Sequence, residues 1–235
     1  MSLLSRLQPL TKQVFPGIFQ TRIQATYESL TVSDFEADAL RLPETLERAV
    51  HKRQIEFLLG RYCVQQCFHA FNVEPIFIPI HQDRSPIWPS AWIGSVSHSK
   101  GQVVAVLANR CEYVGLGIDL EAYITAPSAG LRAQICIDSN EIEDLQAAMN
   151  LTEDEALTLI FSGKESLYKL VHPRYKNFFG FQAARVRASK SGVEGLEIEL
   201  TQQLSDEFPR HRTWPLRWQR LTPDTLETFL IEPAL

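Results

Sequence analysis

Two well-separated stretches with helical spacing, each bordered by segments that alternate apolar and polar residues, limit the fold of this chain more than anything else in it. In LPETLERAVHKRQIEFLLGRYCVQQCFHAF, Ile55, Leu58, Leu59, Tyr62 and Phe68 recur at helical intervals and predict a long helix at 51–71. In the second stretch, Thr152 and Glu155 have the spacing of a capping box that opens a helix through EDEALTLIFSGKESLYKLV. Gly163 inside that helix costs about 1 kcal/mol relative to alanine, which close packing or a ligand contact would explain. A shorter helix through EIEDLQAAM is capped by Asp138 and Glu141.

The strand signals fall on both sides. GIFQTRIQATYESLTV predicts one or two strands, and FGFQAARVRAS and GLEIELTQ predict sheet in the C-terminal third. GSVSHSKGQVVAVLA and EYVGLGIDLE read as two strands joined by a polar turn at Asn109–Arg110–Cys111, and EPIFIPIHQDRSPIWPSAW as a proline-broken loop. Helix with paired strands thus occurs before residue 121 and again after it. The expected fold class is α+β, with halves at 1–113 and 114–235.

With 45% hydrophobic and 22% charged residues, the 235-residue chain has the composition of a soluble globular protein. A formal charge of −5 argues against a general nucleic-acid binder, though it leaves room for a local basic pocket. The amino terminus lacks the apolar core and cleavage site of a secretory signal, and no apolar run reaches the ~18 residues of a membrane span. The four cysteines form no C-x-x-C pair. Cys63 and Cys67 would share a helix face and pack there as free thiols, since no second ligand pair for zinc stands nearby. These features imply a reduced, cytoplasmic protein.

Three constellations carry chemistry. In VGLGIDLE, residues two apart on a strand share a face, so Asp119 and Glu121 point together while Leu120 enters the core. Adjacent carboxylates repel unless a cation neutralises them, and an oxygen-only pair suits a hard divalent ion such as Mg²⁺. The other reading is a strand that turns polar where it reaches solvent. In FSGKESLYKL, Glu165 and Lys169 share a helical face, with Lys164 beside them. This is either an ordinary i,i+4 pair or, among His172, Arg174 and Lys176, a third carboxylate ligand with lysines placed for phosphate oxygens. In SVSHS, Ser97 and His98 do not fit the G-x-S-x-G elbow and suit an anion better, while a structural histidine remains the alternative. Arg53, Arg61 and Arg84 are further cations, suited together to a polyphosphorylated ligand. Gly115-x-Gly117 lacks the third glycine of a dinucleotide fingerprint.

HKRQIEFLLGR, DRSPIWP followed by GSVSHS, GLGIDLE and FSGKESLYK, in this order, resemble a 4′-phosphopantetheinyl transferase of the surfactin-synthetase type. The first segment is especially similar to the enterobactin synthetase component D subgroup. G-[IV]-D-x-E followed by K-E-S-x-x-K is the specific signature, and the likeness covers residues 50 to about 180.

The resemblance implies two similar α+β halves related by a pseudo-twofold, acting as a monomer, with coenzyme A in the cleft between them. It implies Mg²⁺, with Mn²⁺ as the substitute, held by Asp119, Glu121 and Glu165. Lys164 and Lys169 would meet phosphate oxygens, His98 with Ser97 would sit near the 3′-phosphate, and Arg53, Arg61 and Arg84 would bind the nucleotide phosphates. Glu141, in IDSNE, is similar to a family F-S-x-x-E block and would be a secondary carboxylate near the metal. The implied reaction is attack by a serine of an apo acyl or peptidyl carrier protein on the β-phosphorus of coenzyme A, releasing 3′,5′-ADP. Glu165, directly or through a metal-bound water, would act as base, and Lys169 would steady the departing phosphate. The chain departs from the pattern at Asp83-Arg84-Ser85-Pro86, where many members have G-K-P, and at Phe161, where tryptophan is common. A Mg²⁺-dependent phosphohydrolase and a non-catalytic coenzyme A or carrier-binding module are the rival classes.

Overall fold

The computed structural model describes residues 7–189 and 195–234. The chain forms two compact units: the first runs through Val114 and takes in the chain again from Pro233, and the second is Gly115–Glu232.

In the first unit, β1 (Leu10–Phe15) and β2 (Ile18–Gln24) form a hairpin. Two 3₁₀ segments, Tyr27–Ser29 and Val32–Asp38, lead to a single turn α1 (Glu44–Glu47) and the long α2 (His51–Ala70). After the irregular 71–91 stretch come β3 (Trp92–Ser99) and β4 (Gln102–Asn109). The antiparallel sheet has the order β1-β2-β4-β3, which leaves β3 at an edge. Ile55, Leu58, Leu59, Tyr62 and Phe68 of α2 close the core with Ile23, Val103, Ala105 and Leu107 from the sheet, as the helical periodicity predicts.

GSVSHSKGQVVAVLA is two strands, not one. Lys100 and Gly101 have φ of +45° and +79°, and positive φ at both central residues is the turn that matches strand twist in a two-residue hairpin. The Asn109–Cys111 turn is where expected, but β4 and β5 (Tyr113–Ala122) belong to different sheets.

In the second unit, β5 is followed by α3 (Ala129–Ile135), α4 (Asn140–Met149) and α5 (Glu153–Tyr175). β6 (Ala184–Ala188), β7 (Leu196–Leu200), β8 (Thr213–Thr222) and β9 (Thr225–Pro233) pair antiparallel in succession, and β5 joins beside β9. The Thr152–Glu155 capping box opens α5, with both reciprocal bonds formed. Leu157, Ile160, Leu167 and Leu170 of α5 pack against Val186, Ile198 and Leu216 of the sheet. A Cβ at Gly163 would lie 2.9 Å from Leu216 and 3.3 Å from Val186, so this glycine answers to close helix–sheet packing.

The architecture is therefore α+β, each unit a helix-backed sheet. Cys63, Cys67 and Cys136 are buried and Cys111 is exposed. No helix of the described residues is long and apolar enough to cross a membrane.

Candidate active site

The carboxylates are positioned by how closely β5 approaches α5. A Cβ at Gly117 would stand 1.9 Å from the Ser166 carbonyl oxygen, so only glycine lets strand and helix backbones come this near. Gly115 faces Leu170 of the same helix. With a period of two, Asp119 and Glu121 follow Gly115 and Gly117 on the helix-facing side. Ile118 and Leu120 are buried on the other side.

Asp119 is buried and held at both oxygens. Lys169 Nζ donates to Oδ1 at 2.7 Å, and Ser162 Oγ donates to Oδ2 at 2.8 Å. Lys169 also donates to the Ile118 carbonyl at 3.0 Å. Ser162, Thr228 and Ser166 form a buried hydroxyl chain at 2.9 and 2.7 Å behind the carboxylate.

Burial, and then the charge of Asp119, push the Glu121 carboxyl up to about 7. Glu165 is raised by burial too, opposed by Lys169 and reinforced by Asp119. The three acids thus sense one another's charge, and their donors are all oxygen, the set a hard divalent cation takes. Even so, among the described residues no three His, Cys, Asp or Glu side chains stand as a group that could hold a metal ion. The positive charge beside Asp119 is that of Lys169.

Lys164 and Glu141 lie apart from the expected roles. The Lys164 ammonium donates to Glu141 at 3.0 Å and to the Ile135 carbonyl at 2.8 Å, with side chains only 2% and 0% exposed. Glu141 also accepts from the backbone N–H groups of Ile137 and Val186. The pair ties α5 to α4 and β6. Successive helix residues point a hundred or so degrees apart, so Lys164 goes to the interior while Glu165 faces β5.

The first unit gathers Arg53, Glu56 and His98. Arg53 Nη1 is 2.9 Å from His98 Nε2, and His98 Nδ1 is 3.5 Å from Glu56 Oε1. Ser97 is buried and paired in register with Val104, whereas His98 pairs with Val103 on the α2 face. Successive strand residues project to opposite faces, so Ser97 and His98 lie on opposite sides of β3. Arg61 is buried, donating to the Ile78 carbonyl at 2.7 Å and stacking on Phe57. Burial, with the charge of Arg53 added, lowers its pKa to about 10. Arg84 stands exposed in the loop with φ +69°.

Glu56 and Ser162 escaped the sequence reading. Each lies inside a segment already quoted, three residues after Arg53 and three before Glu165, and helical spacing was the available signal.

Two family models match the chain: the 4′-phosphopantetheinyl transferase N-terminal domain over residues 42–108 and the 4′-phosphopantetheinyl transferase superfamily over 115–218. Enterobactin synthase component D of Salmonella typhi is 34% identical over 165 residues, covering 67% of this chain and 68% of that protein. The 4′-phosphopantetheinyl transferase PptT of Mycobacterium tuberculosis is 29% identical over 169 residues, 68% and 72% of the two chains. The 4′-phosphopantetheinyl transferase Npt of Nocardia iowensis is 25% identical over 173 residues, 72% and 76%. This chain belongs to the 4′-phosphopantetheinyl transferase superfamily, enzymes that move the phosphopantetheine arm of coenzyme A onto carrier proteins.

Proposed function

We propose that this chain performs the transfer with Mg²⁺ held by Asp119, Glu121 and Glu165, serving carrier proteins of siderophore or other nonribosomal-peptide, polyketide or fatty-acid synthesis. The reading rests above all on the placement of Asp119 and Glu121 on the helix-facing side of β5, with Lys169 paired to Asp119 and Glu165 within its electrostatic reach. Bound there, Mg²⁺ would polarise the coenzyme A pyrophosphate and offset the charge of the leaving group.

The chain's own groups do the rest. Glu165, whose raised pKa brings it nearer neutrality, accepts the proton of the carrier serine. Lys169 steadies the departing phosphate as a point charge. Arg53 and His98 hold the 3′-phosphate, and Arg84 adds charge from the loop. Arg61 supports that half from beneath through Ile78 and Phe57. Lys164 is assigned to scaffolding, through Glu141. The two halves are the working units of a cytoplasmic monomer. Likeness to enterobactin synthase component D supports the siderophore assignment.

The test is intact-mass measurement after incubating the protein with coenzyme A, Mg²⁺ and a panel of apo carriers. The expected result is gain of one phosphopantetheine on siderophore or peptide carriers. Folded Asp119→Ala and Glu165→Ala proteins should produce none, and normal turnover by purified Asp119→Ala would overturn the metal assignment.

A further inference from the structure

A carboxylate next to cations meant for phosphate is at first sight misplaced, and Glu56 is such a group. It lies in α2 one turn beyond Arg53, with its side chain 10% exposed. Its Oε2 is 3.9 Å from Arg53 Nη1, and its Oε1 is 3.9 Å from Lys52 Nζ and 3.5 Å from His98 Nδ1. The opposite ring nitrogen, Nε2, is 2.9 Å from Arg53 Nη1.

A guanidinium only donates, so Nε2 must accept from Arg53. A neutral imidazole carries one proton, which then sits on Nδ1, the nitrogen that faces Glu56. The pair has the form in which a carboxylate fixes a histidine's tautomer and ring orientation from behind.

We infer that Glu56 is a positioning residue for coenzyme A binding: it holds the His98 ring by Nδ1 so that Nε2 and Arg53 Nη1 converge on one phosphate. The inference rests on the reading that His98 meets the 3′-phosphate. Neutral His98 uses its Nε2 lone pair to accept from Arg53, so donation to a phosphate oxygen requires a proton taken up there from solvent and release of the Arg53 bond, both donors then turning to the phosphate with Nδ1–H still directed at Glu56. The charge on Glu56 stabilises that imidazolium and offsets the repulsion between Glu56 and the ligand. Glutamine keeps an acceptor for Nδ1–H, whereas leucine has none.

The test compares carrier labelling with coenzyme A and with 3′-dephospho-coenzyme A for wild type, Glu56→Gln, Glu56→Leu, His98→Ala and the Glu56→Leu/His98→Ala double variant. Glu56→Leu should raise KM for coenzyme A about tenfold with kcat changed less than about twofold, as for loss of one charge-assisted hydrogen bond. The same variant should leave KM for 3′-dephospho-coenzyme A nearly unchanged. Glu56→Gln should recover most of the loss, and Glu56→Leu should add little in the His98→Ala background. If His98→Ala discriminates between the ligands but Glu56→Leu does not, or if the two losses simply add, the positioning role is overturned. If His98→Ala affects both ligands alike, the 3′-phosphate reading fails and the inference falls with it. Ring ¹⁵N chemical shifts of His98 in the wild-type protein need no variant. In the absence of ligand they should show neutral imidazole protonated at Nδ1 alone, and a neutral ring protonated at Nε2 instead would overturn the inference.

Discussion

Lys169 Nζ lies 2.7 Å from Asp119 Oδ1 across the β5–α5 contact, and no more than 26% of either side chain is exposed. A lysine paired this way to the strand carboxylate gives the cluster a fixed positive charge of its own.

Removing that charge should hurt chemistry more than binding. Lys169→Ala should lower kcat for carrier labelling by about a hundredfold, the scale for losing one preorganised charged donor, while KM for coenzyme A changes much less. Lys169→Arg should recover only part, because a planar fork does not replace a compact ammonium. Steady-state kinetics at saturating Mg²⁺ measure both.

Stability of chelator-treated protein should depend on pH through Glu121. Folded, this carboxyl keeps its proton up to about pH 7, while in the unfolded chain it ionises in the usual carboxylate range. Between those limits the folded state binds more protons, so stability falls as pH rises, and Glu165 acts in the same direction. The thermal midpoint in EDTA should therefore drop from about pH 5 to about pH 7.5 more steeply in wild type than in Glu121→Gln. Scanning calorimetry across that range provides the check.

Gly117→Ala should separate β5 from α5. The added methyl would lie 1.9 Å from the Ser166 carbonyl, on backbone that cannot rotate away. A loss of about 1–3 kcal/mol in urea unfolding is expected, as for other overpacked sites. Carrier labelling should fall with it, because Asp119 loses its register with Ser162 and Lys169.

The Glu141–Lys164 pair should behave as buried structure. Glu141→Leu or Lys164→Met alone should cost about 3–5 kcal/mol, since each strands a charge in the interior. The double variant should regain most of that loss. Denaturant melts of the four proteins form the cycle, and a double variant no more stable than the singles would contradict the assignment.

The long helices were legible in the sequence because amphipathic spacing and a capping box are local signals. α2 begins at the residue expected, and the Thr152–Glu155 box forms as read. Other features depend on partners remote in sequence. β8 has Pro215 inside it and charges between its apolar positions, which masks an interior strand. α3 is only seven residues long, marked by Ser128 accepting from Leu131 N–H. The K-G turn between β3 and β4 was visible but was overridden by the apolar run after it. At the site, residue types were readable and their commitments were not. Lys164 and Lys169 look alike in K-E-S-L-Y-K, yet one is locked to Glu141 and the other to Asp119.

The exposed Cys111 gives the molecule a natural attachment point. Burial pushes the thiols of Cys67 and Cys136 up to about 12 and about 11, and raises that of Cys63 well above its ordinary value. A maleimide dye near neutral pH should therefore couple at the bend between β4 and β5 without any engineered cysteine, giving one fluorophore per molecule at a known place in the fold.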